Sequence, residues 1–490
     1  MDYSTGPAQT TLGPPQGVRP VVNDLHSRLN PTTVHQIVCI RSTQDAREAI
    51  VRAGAEHRAI CVSGGRHAMG GQQFVEGGVL LDTRSYSGVR SFDRARGLIE
   101  VESGIQWPEL IGWLLEHQLG APMQWGIRQK QTGADRLSVG GAVSANIHGR
   151  GLTLQPFVSD VESLTLIDAR GDRRTCSRTE NPELFRLVVG GYGLFGFIDT
   201  VTLRLVPRRK VRRTVAIETA ERLIERFDER IAAGYAFGDF QFALDAGSPD
   251  FLRRGIFSCY KPVAGDAPIP EGQRALSPED WKRLLWLAHF DKQGAWDAYA
   301  GHYLGTNGQL YWSDTHQLST YIDDYHTWLD RQTNAPHAAT EIISELYVPR
   351  EALTDFLGDV ADDFRANSVD CIYGTIRLIE RDDETFLSWA KQPYACAIFN
   401  LHTVHTPDGI EHSAAAFRRL IDLAARREGS WYLTYHRFAT RAQVLACYPE
   451  LPEFLRLKRR YDPNERFQSD WYRHHVSLLS DLLTDDSDDE

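Results

Sequence analysis

Along the first third of the chain, short apolar runs alternate with longer stretches whose apolar residues fall at helical spacing. VHQIVCI predicts a strand, and STQDAREAIVRAGAEH predicts a helix with Ser42 as its N-cap. AICVSGG predicts a second strand that runs into glycines, and VLLDT a third. GLIEVESG and QWPELIGWLLEHQ repeat strand and helix, with Pro108 tolerated in the first helical turn. VESLTLIDARG ends a strand in a turn, NPELFRLVVGG reads as a helix, and FIDTVTLRLVPR as a further strand. From about residue 209 the texture changes. Strand-like pieces (VRRTVAIE, YAFGDFQFALD, GIFSCYKPV) alternate there with polar helices and a Trp- and Tyr-rich middle. AAFRRLIDLAARREG predicts an amphipathic helix with Leu420, Leu423 and Ala424 on its apolar stripe.

A chain of 490 residues exceeds what one hydrophobic core serves, so two domains are expected, divided near Pro207. A formal net charge of −11, spread along the chain apart from a terminal cluster, gives no basic face for nucleic acid. The cysteines (Cys39, Cys61, Cys176, Cys259, Cys371, Cys396 and Cys447) form no C-x-x-C pair, which points to free thiols in a reducing cytoplasm. The start has neither an apolar signal region nor a twin arginine, and no run is long and apolar enough to suggest a membrane span. Residues 1 to about 20 read as a mobile arm and 478–490 as a solvated acidic tail.

Glycine is concentrated in three places. S-G-G-R-H-A-M-G-G-Q, from Ser63 to Gln72, follows a strand directly. Such a loop either turns its N–H groups onto an anion such as a pyrophosphate or is simply a glycine-rich turn. Q-T-G-A-D-R-L-S-V-G-G-A-V-S-A-N-I-H-G-R-G, from Gln131 to Gly151, is built of small residues that expose backbone. It reads as a ligand wall or as a close crossing of elements; the embedded Asn146 and His148 favour the wall. G-G-Y-G-L-F-G contains a formal G-x-G-x-x-G, but a helix precedes it and a strand follows, the reverse of a Rossmann turn.

In this order, the segments resemble those of one family, the FAD-linked oxidases of the vanillyl-alcohol oxidase and p-cresol methylhydroxylase (PCMH) type. GGRHAMGGQ followed by GGVLLDT is similar to the family's pyrophosphate loop, and LSVGGAVSANIHGRG to its second flavin-cradling motif. The stretch from DVESLTLIDARG to FGFIDTVTLRLVP matches the end of its FAD domain, and LKRRYDPNERFQSDW the segment that returns to it. SELYVPR and TIRLIERDD resemble the alditol and aldonolactone oxidases, while VGGAVSANIHG and YPELPEFLRLKRRYDP resemble decaprenylphosphoryl-ribose oxidase.

The resemblance implies an α+β fold with a two-subdomain, PCMH-type FAD-binding domain over 21–208 and an antiparallel-sheet substrate (cap) domain over 209–440. A return to the FAD domain over 441–477 completes it. It places the cofactor on Ser63, Gly64, Gly65, Arg66, His67, Ala68, Met69, Gly70 and Gln72, and on Thr132, Gly133, Ser138, Gly140, Gly141, Ser144, His148 and Gly149. Gly196, Ile198 and Gln468 complete the set. His67 stands where many members attach the flavin covalently, although Arg66 replaces a glycine and Ala68 a serine of their pattern.

Arg377 aligns with the arginine of the family's E-x-R, with Thr375 in place of the glutamate. Tyr435 and His436 fall where relatives carry a catalytic lysine, although a strand with one polar face would read the same way. Lys391 and His402 flank a strand as further candidates, and the aromatics of 289–328 are read as packing. The implied activity is oxidation of a CH–OH group of a small polyol, sugar or related alcohol, with O2 or another acceptor taking the electrons. A nicotinamide-driven C=C reductase and a non-catalytic flavoprotein scaffold are the alternatives.

Overall fold

The computed structural model describes residues 19–483 except 320, 321 and 323. The predicted arm lies outside the described residues as far as residue 18, and the predicted acidic tail does so from residue 484. Just before that point Asp470–Leu478 is helical, and Leu479 and Leu483 are buried.

The chain up to about residue 207 is built around two main sheets, with two further two-stranded ones. In a three-stranded parallel sheet Val79–Asp82 lies between Gln36–Cys39 and Ile60–Ser63. Its sequence, VLLD, is buried at every position, as a strand flanked on both sides requires. The helix Thr43–Ala55 packs beside it, with Ser42 accepting from the Asp45 N–H and Ala46, Ala49, Ile50 and Ala53 turned inward at helical spacing. The second sheet is antiparallel, in the order Arg173–Ser177, Val161–Ile167, Phe197–Arg204, Leu98–Glu102, Val89–Asp93. The helix Pro182–Val188 precedes the G-x-G-x-x-G run and the strand Phe197–Arg204 follows it, which is the reversed order that excludes a Rossmann turn.

The C-terminal segment returns to the parallel sheet. Phe467 bridges to Ile60 in parallel, the Gln468 N–H donates to the Ile60 carbonyl at 2.9 Å, and Phe467 is buried against Ile50 and Val79. Arg466 closes the end of the Thr43–Ala55 helix by donating to the carbonyls of Ala53 (3.1 Å) and Arg58 (2.6 Å).

From residue 209 the strands form one eight-stranded antiparallel sheet. Its order is Leu310–Trp312, Lys210–Thr219, Arg254–Pro262, Phe237–Phe242, Cys371–Ile379, Tyr394–Val404, Ala339–Pro349, Ser430–Trp431. The helices Leu353–Ala366 and Pro407–Ala425 pack on one face. The second begins at Pro407, ahead of the predicted start, because Thr406 caps it by accepting from the Gly409 N–H. Two capped helices, Pro278–Phe290 and Lys292–Leu304, lie on the other face. Among the described residues no helix is long and apolar enough to cross a membrane.

Candidate active site

A cavity of about 760 Å³ lies between the glycine-rich loops and the inner face of the large sheet. Its first wall is built by close approach. The strand Ile60–Ser63 delivers the chain into the loop Gly64–Met69, which faces the segment Gln131–Ser138. A Cβ added at Gly64 would stand 2.1 Å from Ser138 Oγ, and one at Gly65 would stand 2.1 Å from the Arg136 carbonyl oxygen. Only glycine permits this contact.

Arg66 has φ of 61°, a left-handed conformation that costs an L-residue, and its guanidinium reaches Asp82 at 3.3 Å. Gly70 and Gln72 tie the loop down. The Gly70 N–H donates to Gln72 Oε1, and Gln72 Nε2 donates to the Leu433 carbonyl at 2.6 Å. Lys130, fully buried, anchors the facing segment through Asp135 at 2.8 Å.

This wall fits an FAD. Arg66 Nε, His67 Nε2, Ser103 Oγ, Gln131 Nε2 and Thr132 Oγ1 belong to residues that line the cavity and are buried without a protein partner, and buried polar atoms normally have one. A phosphate, ribityl or amide group would satisfy them. His67 Nδ1 lies 2.8 Å from His26 Nε2. Burial, with His26 beside it, pushes His67 down to about 3, so the ring is neutral near pH 7.

The second wall is the inner face of the large sheet, where side chains alternate. On the strand Ala339–Pro349 the inward positions are Glu341, Ile343, Glu345 and Tyr347. Tyr347 stands opposite Cys396, and Cys396 opposite Arg377. Glu345 Oε1 accepts from Tyr347 Oη at 2.6 Å and from the Cys396 thiol at 3.4 Å, and Oε2 accepts from Tyr435 Oη at 3.0 Å.

His148 follows the short helix Val139–Ala145, whose end turns through Asn146 in a left-handed conformation. Asn146 is fixed there by donating to Asp382 at 2.9 Å. This brings His148 Nε2 within 2.6 Å of Glu345 Oε1 while Nδ1 lies 3.0 Å from the Gly149 carbonyl.

Burial alone would raise Glu345, but the charge and hydrogen bond of His148, the Tyr347 hydroxyl and Arg377 outweigh it and hold the carboxyl at about 2. His148, Glu345 and Cys396 converge within 4.8 Å, yet the 2.6 Å N···O separation is that of a charge-assisted hydrogen bond and leaves no room for a metal between them. Arg377, 6% exposed, has no hydrogen-bond or ion-pair partner among the described residues, and its Nε is buried.

Most of the predicted residues meet here. Gly64, Gly65, Arg66, His67, Ala68, Met69, Gln72, Thr132, Gly133, Ser138, Gly140, Gly141, Ser144, His148, Gly196, Ile198, Arg377 and Tyr435 line the one cavity. Ser63 lies behind the wall, Gly70 turns under the Tyr435 carbonyl, and Gly149 bonds back to Gln129. His436 does not line the cavity; it is buried in a stack on Phe438, with ring centroids 4.9 Å apart. Tyr435 and His436 stand in a turn, not on the strand that was the alternative reading, because the strand ends at Trp431.

Gln468 also lies off the cavity, its side chain donating to the Glu465 carbonyl and accepting from Arg473. Lys391 is tied to Glu450 and the Cys447 carbonyl, and His402 packs on His289. The aromatics of 289–328 correct their reading as packing: Trp296, Tyr299, Tyr303, Tyr311 and Tyr325 line the cavity.

Sequence reasoning missed Glu341 and Glu345. The signal was present in E-I-I-S-E-L-Y, where carboxylates recur on one face of a strand too apolar to be exposed. It also missed a set of arginines. Arg150 and Arg213 come from distant segments and meet over the Tyr260 ring, at 4.9 and 5.0 Å from its centroid.

Comparison with known proteins agrees with this geometry. The profile of the family described as "FAD binding domain" matches residues 34–177. An uncharacterized oxidoreductase, ORF5 in the fasciation locus of Rhodococcoides fascians, is 33% identical over 34% of this chain and 37% of its own length. Decaprenylphosphoryl-beta-D-ribose oxidase of Mycolicibacterium smegmatis is 24% identical over 90% of this chain and 95% of its own. Cytokinin dehydrogenase 6 of Oryza sativa subsp. japonica is 35% identical over 31% and 29%. The chain thus spans about a third of the first and third proteins and nearly all of the second.

Proposed function

We propose that this chain, whose residues 34–177 match the FAD binding domain family, is an FAD-linked oxidase or dehydrogenase that oxidises a CH–OH group of a small polyol, sugar or related alcohol. FAD, when bound, supplies the acceptor for the hydride at N5 and hands the electrons to O2 or another acceptor. The observation that carries the reading is the buried, partnerless guanidinium of Arg377 beside Tyr435 and the His148–Glu345 pair.

The chain's own residues each have a task. Arg377 offers N–H donors and charge to the alcohol oxygen while the hydroxyl proton passes to Tyr435 Oη as Tyr435 gives its own proton to Glu345. Tyr435 gives its hydrogen to Glu345, so its free lone pairs point away from that bond and can receive a substrate hydroxyl. His148, bonded to Glu345 at 2.6 Å, holds that carboxylate in place on the same wall. The loop Gly64–Met69 and the segment Thr132–Ser144 bind and orient the cofactor. His67, neutral and with Nε2 unpaired, is suited to a covalent bond to the flavin.

The test is spectroscopic. Purified protein is expected to show a flavin band that bleaches under anaerobic mixing with alditols, aldonolactones or sugars. A band that bleaches only with NADPH would replace alcohol oxidation by double-bond reduction. After acid precipitation the colour is expected in the pellet, and in the supernatant for His67→Ala; a yellow supernatant from the unaltered protein removes the covalent bond.

A further inference from the structure

The helices Pro278–Phe290 and Lys292–Leu304 carry an apolar stripe that faces the cavity. Trp281, Leu284, Leu285 and Ala288 fall at i, i+3, i+4 and i+7, one face of a helix, and all line the cavity; Trp296 and Tyr299 extend the stripe on the second helix. An amphipathic helix ordinarily sinks such a stripe into the core. The helix Pro407–Ala425 does so with Phe417, Leu420 and Ile421, whereas no residue of Pro278–Phe290 is fully buried.

The helical pair is instead held by its own ends. Ser277 and Asp280 form a capping box on the first helix, and Asp291 caps the second by accepting from the Gly294 N–H. Across the cavity the stripe meets Ile343, Tyr373 and Ile398 on the sheet, on the same strands as Glu345, Arg377 and Cys396.

Three of the charged side chains around this chamber have partners. Lys292 Nζ pairs with Asp370 at 2.8 Å and donates to the Cys371 carbonyl. Arg213 Nε donates to Tyr260 Oη at 2.8 Å, and Arg150 faces Asp239 at 3.5 Å.

We propose that the chamber is a substrate subsite for an uncharged apolar group, alkyl or aryl, carried by the alcohol beyond its carbinol carbon. The proposal rests on the oxidation reading above and narrows its substrate class. A bare polyol would strip water from its hydroxyls against indole and leucine surface that offers them few partners. An alcohol with an apolar substituent buries that surface while its hydroxylated end meets Arg377 and Tyr435.

Vicinal diols of increasing length, from propanediol to decanediol, keep the polar end constant while the apolar group grows. Dissociation constants for the flavin-loaded protein are read from the perturbation of flavin absorbance, and oxidation is read separately as anaerobic bleaching. Binding is expected to tighten about threefold to fourfold per added methylene until the chamber is filled. Trp281→Ala is expected to flatten the series with flavin content unchanged. Leu285→Phe, which fills the chamber, is expected to shorten the longest diol that binds, and serves if Trp281→Ala does not fold.

Phenylethanediol against octanediol separates an aryl from an alkyl preference. A flat series, no binding, or xylitol binding as tightly as decanediol overturns the proposal. Tightening without bleaching keeps the chamber and removes the oxidation reading; bleaching by xylitol with a flat series does the reverse.

Discussion

At the scale of single residues, Glu345 sets the character of the site. It accepts from His148, Tyr347, Tyr435 and Cys396, and a carboxylate so surrounded is an anchor for its donors. It holds the His148 ring through Nε2 and fixes the direction of the Tyr435 hydroxyl. Its value falls from the ordinary 4.5 to about 2 in the folded protein, so over that interval the unfolded chain binds more protons than the native one. The stability it contributes is therefore complete above pH 4.5 and is lost as pH falls toward 2. In Glu345→Gln this part of the acid dependence is expected to disappear, so that Tm falls less steeply across that window than in the unaltered protein. Parallel Tm–pH curves for the two proteins would mean that the carboxylate is not held as described.

At the scale of elements, what matters is how closely two loops approach. The segments Gly64–Met69 and Arg136–Gly141 touch through backbone, and a methyl group at position 65 would meet the Arg136 carbonyl at 2.1 Å and His67 Cδ2 at 2.9 Å. Such overpacking costs about 1–3 kcal/mol, so Gly65→Ala is expected to weaken FAD retention roughly tenfold to a hundredfold, measured by equilibrium dialysis. Retention equal to that of the unaltered protein would show that the loops have slack.

These loops were legible in the sequence because their chemistry is local: glycines after a strand, small residues after a serine cap. The helix Thr43–Ala55 was legible for the same reason, with Ser42 as its cap. The helical pair over 278–304 was not, since its periodicity shows an apolar face without showing what that face meets.

At the scale of the whole molecule, the chain leaves the small sheets near residue 207, builds the large sheet, and comes back to the parallel sheet. The return is a packing event centred on Phe467, fully buried between the parallel sheet and the Thr43–Ala55 helix. Phe467→Ala is expected to cost about 3–5 kcal/mol in thermal or denaturant unfolding of the flavin-loaded protein. A cost below about 1 kcal/mol would mean that the return segment is dispensable to the parallel sheet.

The sequence by itself determined the glycine loops and the order of strands and helices up to about residue 207; the expectation of a flavin came from the resemblance of these segments, in their order, to one family. Each loop or element depends on neighbours a few residues apart, which share a turn or one face of an element. The second wall of the cavity was decided elsewhere. Glu345 and His148 stand 197 residues apart in the chain and 2.6 Å apart in space, and Arg150 meets Arg213 over one tyrosine ring. Only the register of the large sheet against the small sheets creates those contacts, and with them the chamber under the helical pair. Periodicity names the face of a strand or helix; tertiary packing decides what that face confronts.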